Sequence, residues 1–180
     1  EGAIINYHQT PGIKNYVRAE IRRWEGGQVY RTFTNAFGIR EVSENSGDIE
    51  AIRIGNQEWM AENLNVGNFR NGKPIPEAKT NEEWFEAYQN ANPAWCYYDF
   101  NPENGKRYGR LYNWYAVNDS LSGGLAPEGW HVPSKEEWTS LIDNFGGYTS
   151  AGKMMKNDKG WESDGNGTNA SGFSGLPGGY

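Results

Sequence analysis

Few residues in this chain have types and spacings that could do chemistry. Asp164-Gly165-Asn166-Gly167-Thr168-Asn169 gathers oxygen donors in the way hard cations such as calcium require. An EF-hand register starting at Asp164 needs an acidic residue where Gly175 stands, and Asp99-Phe100-Asn101-Pro102-Glu103-Asn104 fails the same test at Arg110. Both stretches read as plain Asx/Gly turns. Trp161 and Trp95, close to Gly-rich loops, carry rings that can stack on sugars. With Asp164, Asn166 and Asn169 they form the candidate ligand-binding set.

The other reactive types have simpler explanations. His131 follows Trp130 at the edge of a helix cap and reads as a satisfied structural histidine. Cys96, flanked by Trp95, Tyr97 and Tyr98, reads as buried. Ser174 sits in Gly-Phe-Ser-Gly-Leu, which lacks the second glycine of a nucleophile elbow. Glu82, Glu83, Glu136 and Glu137 belong to helix first turns, where carboxylates suit the dipole, and not to a glycosidase pair. No catalytic set assembles, so the expectation is a protein that is not an enzyme.

Three helices should position these groups. Thr80-Asn81-Glu82-Glu83 is a capping box with Trp84 and Tyr88 on one face behind it. Tyr108, Leu111, Tyr112 and Tyr115 recur at helical spacing and predict an amphipathic helix over 108–117. Ser134-Lys135-Glu136-Glu137 opens a third helix through Trp138, Leu141, Ile142 and Phe145, stopped by Gly146. Two hairpins are also expected. Polar and apolar residues alternate over 13–24, and Gly26-Gly27 separates that run from Val29–Phe33. Val17, Ile21 and Trp24 also fit a helix, which leaves that alternative open. Ile52–Ile54, Gly55-Asn56 and Gln57–Met60 make the second hairpin. Residues 43–48 read as a polar connector, and 157–175 as loop.

Composition excludes several classes. The 180 residues suit one domain with a small accessory segment. Only 36% are hydrophobic, but 8 Trp, 11 Tyr and 7 Phe can build a core, since each ring buries roughly 150–250 Å². Disordered chains are poor in such residues. With 17 Lys plus Arg against 23 Asp plus Glu, and a basic cluster only at Arg18, Arg22 and Arg23, a nucleic-acid partner is not expected. One Cys and two His cannot assemble an ordinary zinc site, and one Cys forbids an internal disulfide. No apolar run approaches the ~18 residues of a membrane span. No signal segment opens the chain, as would also hold for a mature secreted protein.

Five blocks carry a resemblance: Ile54–Leu64, Pro93–Tyr98, Tyr108–Val117, Leu125–Ser134, and Asn166–Asn169 with Gly172–Tyr180. In this order they resemble the Fibrobacter succinogenes major paralogous domain family, from about residue 49 to the end. Residues 1–48 carry no such resemblance. The family implies a secreted or outer-surface protein of a Gram-negative bacterium, with no shared activity established. Trp130–Trp138 is also similar to the RLPTEAEW block of formylglycine-generating-enzyme-like domains. Their C-type-lectin-like fold is therefore the expectation for residues 49–180, as an α+β domain behind a β-rich N-terminal segment. Lectin-like folds often hold calcium in their loops, which keeps a non-EF calcium site in 158–169 open. The enzyme's catalytic cysteines have no counterpart here.

Two departures matter. Many relatives have a second Cys where Ala126 stands, so a disulfide to Cys96 is not available. Relatives also continue beyond the final Gly-Gly-Tyr, which implies a truncated sheet or one completed by other strands. The expected function is a glycan or other surface-ligand module. The alternative is a structural subunit of a filament or layer that self-assembles through residues 1–48.

Overall fold

The computed structural model describes the backbone of residues 20–25, 28–33, 39–41, 49–119 and 121–178, with side chains from residue 49 onward. The expected strand over 13–19, the Gly26-Gly27 turn and the 43–48 connector lie outside the described residues. The architecture is α+β, a mixture of short helices and small antiparallel sheets.

The first sheet pairs β1 (Glu20–Glu25) with β2 (Gln28–Phe33), and Glu25 opposite Gln28 leaves two residues for the turn. That is the hairpin expected from the Gly-Gly pair, and the helical alternative does not hold for 20–25. The second sheet has the order β3-β5-β4, with β3 at Ile39–Glu41, β4 at Ala51–Ile54 and β5 at Gln57–Met60. Gly55 takes φ +62 in the β4–β5 turn, a left-handed conformation that glycine adopts without strain.

Successive side chains of a strand point to opposite faces, and β5 serves a different core on each. Trp59 joins Ile54, Trp138, Leu141, Ile142, Ala151, Met155 and Phe173. Its ring lies 4.7 Å from that of Trp138 and 5.8 Å from that of Phe173. Met60, the next residue, packs with Leu64, Phe69, Ile75, Trp95, Tyr112 and Trp130. The large rings thus replace aliphatics, as the composition implied.

The helices are α1 (Asn81–Gln89), α2 (Pro102–Tyr108), α3 (Trp114–Val117), α4 (Lys135–Asp143) and α5 (Ala151–Met155). Helix α4 forms as its sequence requires. Ser134 Oγ accepts from the Glu137 N–H while the Glu137 carboxylate accepts from the Ser134 N–H, and Trp138, Leu141 and Ile142 are buried. The box at α1 is shifted. Thr80 accepts from the Glu83 N–H, but the Glu83 carboxylate accepts from Lys79 N–H, one residue earlier. No residue of α1 is buried.

The continuous helix expected over 108–117 does not form. Gly109 at φ +67 ends α2, and Leu111–Tyr112 become β7, paired with β6 (Trp95–Cys96). Asn113 then starts α3 by accepting from the Ala116 N–H. Tyr112 is buried and its hydroxyl donates to Val66 carbonyl. The 99–104 stretch, read as a turn, instead holds the start of α2, with Asn101 as N-cap and Pro102 in the first helical turn.

Arg70 ties the middle of the chain together. Its guanidinium donates to the carbonyls of Ala126, Pro127 and Trp130, the closest contact being 2.8 Å.

Candidate functional site

The C-terminal loop is built on the end of α5. A helix leaves its last four carbonyls without intrahelical donors. Here Lys153, Met154, Met155 and Lys156 receive the N–H groups of Thr168, Ser171, Gly175 and Asn169 respectively, at 2.8–3.1 Å. Asn157 N–H donates to Gly175 carbonyl and Gly167 N–H to Asn157 carbonyl, so the loop closes on its own base. Gly167 makes this approach feasible. A Cβ there would fall on Lys156 carbonyl oxygen and within 2.6 Å of that of Lys153.

Trp161 is fixed at three points in this loop. Its backbone N–H donates to Asn166 Oδ1 at 2.9 Å, and its indole N–H donates to Gly175 carbonyl at 3.1 Å. Lys156 Nζ lies 5.0 Å from the ring centroid, a cation–π distance. The residue is half-buried. Ser163 and Asp164 form the tip, both left-handed at φ +52 and +57, and Asp164 is exposed.

The structure brings four of the five expected ligand residues into one loop, with different roles. Asn166 is exposed and braces Trp161. Asn169 is an internal brace: Oδ1 accepts from Ser174 N–H and Nδ2 donates to Ser174 Oγ, each at 2.8 Å. Trp95 is not with them. It is 6% exposed, its indole N–H donates to Ile75 carbonyl at 2.9 Å, and the Arg110 guanidinium covers its ring at 3.9 Å. A sugar cannot reach that ring, and the expectation of Trp95 as a stacking residue is corrected.

The reactive side chains are also engaged. Cys96 is 4% exposed, and burial followed by the charge of Glu77 pushes its thiol up to about 12. His131 Nε2 lies 2.7 Å from Glu137 Oε1. Among the described residues no group of three or more His, Cys, Asp or Glu side chains is placed to hold a metal ion. No helix among them is long and apolar enough to cross a membrane.

Two surface features had no sequence signal. A groove of about 430 Å³ separates α1 from the 69–78 segment, with Pro74, Pro76 and Pro93 in its walls and Glu77, Glu83 and Glu86 along it. On α1 and α3 the rings of Phe85, Tyr88 and Tyr115 follow one another at 6.4 Å spacings, Phe85 being exposed. Each depends on segments distant in sequence.

These features describe a small α+β module with an aromatic-bearing C-terminal loop. Residues 52–180 match the Fibrobacter succinogenes major domain, and the chain belongs to that family. No curated protein and no solved structure matches the chain.

Proposed function

We propose that the chain is a non-catalytic extracellular or cell-surface module of a Gram-negative bacterium that binds a glycan through its C-terminal loop. The observation that carries this reading is Trp161, a half-buried residue held at three points, two of them on its indole. A ring fixed in advance loses little freedom when a sugar stacks on it. Asp164 at the loop tip offers carboxylate oxygens to sugar hydroxyls. A C-type-lectin-like architecture belongs to the same reading, supported by the α+β mixture and by the Trp130–Trp138 block. The engagement of His131 by Glu137 and the burial of Cys96 support a non-catalytic role.

A glycan array followed by calorimetry tests it, with calcium as a separate titrant. Asp164→Ala should weaken binding roughly tenfold or more, about 1.4 kcal/mol, at nearly unchanged melting temperature, whereas Trp161→Ala should weaken it as much and also lower the melting temperature, because the indole N–H bond to the Gly175 carbonyl is lost. Unfolded variants, or variants that bind as well as the parent, would remove the loop from the site.

A second reading, a structural subunit of a surface filament or layer, is favoured by one observation. Strand β3, from the N-terminal segment, adds to the edge of β5.

A further inference from the structure

Two kinds of surface meet in the groove between α1 and the 69–78 segment. One is apolar: Pro74, Pro76 and Pro93, with the buried Phe69, Ala78 and Ala94 also lining it. The other is acidic. Glu83, Glu86, Ala87 and Asn90 recur at helical spacing, so one stripe of α1 faces the groove, and Glu77 comes from the 69–78 side. All three carboxylates belong to exposed residues, and among the described residues none of them forms an ion pair. Lys73 is the one cation lining the groove, and its charge also acts on Asp119, whose carboxyl is held below its ordinary value mainly by the Ser122 N–H, with Lys73 contributing.

Four backbone donors along the groove are taken. The N–H groups of Phe69 and Ala78 donate to the carbonyls of Lys73 and Trp95, and those of Lys73 and Ala94 to the Oδ1 atoms of Asn71 and Asn113. The three prolines have no N–H to give. An anion therefore meets repulsion and few donors here. A sugar finds no open ring to stack on, since Phe69, the only aromatic residue lining the groove, is 3% exposed. A lysine or arginine side chain matches both surfaces, its aliphatic stem suiting proline and its charged head suiting carboxylates. From Glu83 to Asn90 the helix advances ~10 Å, the reach of about three residues of an extended chain. The side-chain amides of Asn90 and Asn92 can pair with the N–H and C=O groups that such a chain leaves open.

We propose that this groove docks an extended segment of a partner protein that presents an arginine or lysine, its stem along Pro74, Pro76 and Pro93 and its charged head among Glu77, Glu83 and Glu86. The proposal goes beyond the glycan reading and does not rest on it, because no residue of the groove belongs to the C-terminal loop. Proline walls with fixed φ are formed before the partner arrives, which limits the ordering cost of docking.

The test titrates the full chain with acetyl-Ala-Arg-Ala-amide and with acetyl-Ala-Glu-Ala-amide, read by amide NMR shifts. The arginine peptide should bind and move the amides of Glu77, Glu83 and Glu86, and the glutamate peptide should not. The double variant Glu77→Gln, Glu86→Gln should weaken binding roughly fivefold. Glu86→Lys should abolish it, and Glu128→Gln, an exposed carboxylate off the groove, should bind as the parent does. Added salt should weaken the parent's binding, a readout that needs no variant. Equal binding of both peptides, an unchanged affinity in the double variant, or shifts confined to other residues overturns the proposal. If the parent binds neither peptide but a variant with Arg18, Arg22 and Arg23 replaced by Ser binds the arginine peptide, the groove belongs to this chain's own arginines and the proposal falls. It falls equally if the parent particle exceeds one chain in mass and the arginine peptide reduces it to one, which would seat a second copy there.

Discussion

Glu137 holds His131 and the start of α4 with its two oxygens: Oε1 lies 2.7 Å from His131 Nε2, and Oε2 accepts from the Ser134 N–H at 2.7 Å. One carboxylate therefore joins the segment 130–133 to the helix carrying Trp138, Leu141 and Ile142 into the core. Desolvation pushes its carboxyl up, but the Ser134 N–H and His131 outweigh this and hold it below its ordinary value.

The pH dependence follows from that direction. A carboxyl depressed in the folded state contributes stability above its unfolded value, about 4.3, and loses it as pH falls through the folded value. Thermal melts from pH 6 to 3 should show falling stability below about pH 4.5, with a shallower fall in Glu137→Gln. An equal slope in that variant would assign the acid sensitivity to other groups. Ser134→Ala, which removes the other half of the box, should cost about 1 kcal/mol at neutral pH.

Gly167→Ala should destabilise the protein by about 3 kcal/mol or more. Its Cβ would collide with two backbone carbonyls that cannot rotate away as a flexible side chain would. Gly129→Ala is the comparison: φ is +79 there but no atom lies within 4 Å of the added Cβ, so only backbone strain of ~1 kcal/mol applies. Urea denaturation of the two variants measures the difference. Similar midpoints would show that the loop gives way at Gly167.

Arg70→Ala should cost about 3 kcal/mol, because the 126–130 carbonyls lose a charged donor that reaches three of them. Arg70→Lys should recover little of this, since an ammonium cannot span the fork. Full recovery by Lys in a thermal melt would reduce the interaction to charge alone.

The elements that were legible in the sequence carry their instructions locally. Ser134, Glu137 and the apolar spacing behind them suffice for α4, and Gly55-Asn56 between two β-rich runs suffices for the hairpin. The 108–117 helix misled because Tyr108, Leu111, Tyr112 and Tyr115 match a helical period while belonging to three elements. One positive-φ glycine and one capping Asn override the spacing. Helix α5 was invisible because its five residues are sustained by loop amides from 168–175. The candidate site was legible as a loop, but not residue by residue. Trp95 and Trp161 look alike in sequence, and only Ile75 and Arg110, placed over Trp95 by the fold, separate a buried residue from a half-buried one.

The placement of Trp59 and Met60 on opposite sides of one short strand has a consequence for how the protein comes apart. Neither core can be dismantled without exposing the wall of the other, so residues 49–178 should melt in a single cooperative transition. Amide exchange should be slowest at these two positions. A perturbation at either end of the described domain, in the α5 loop or in the Arg70 tie, is then felt by the whole.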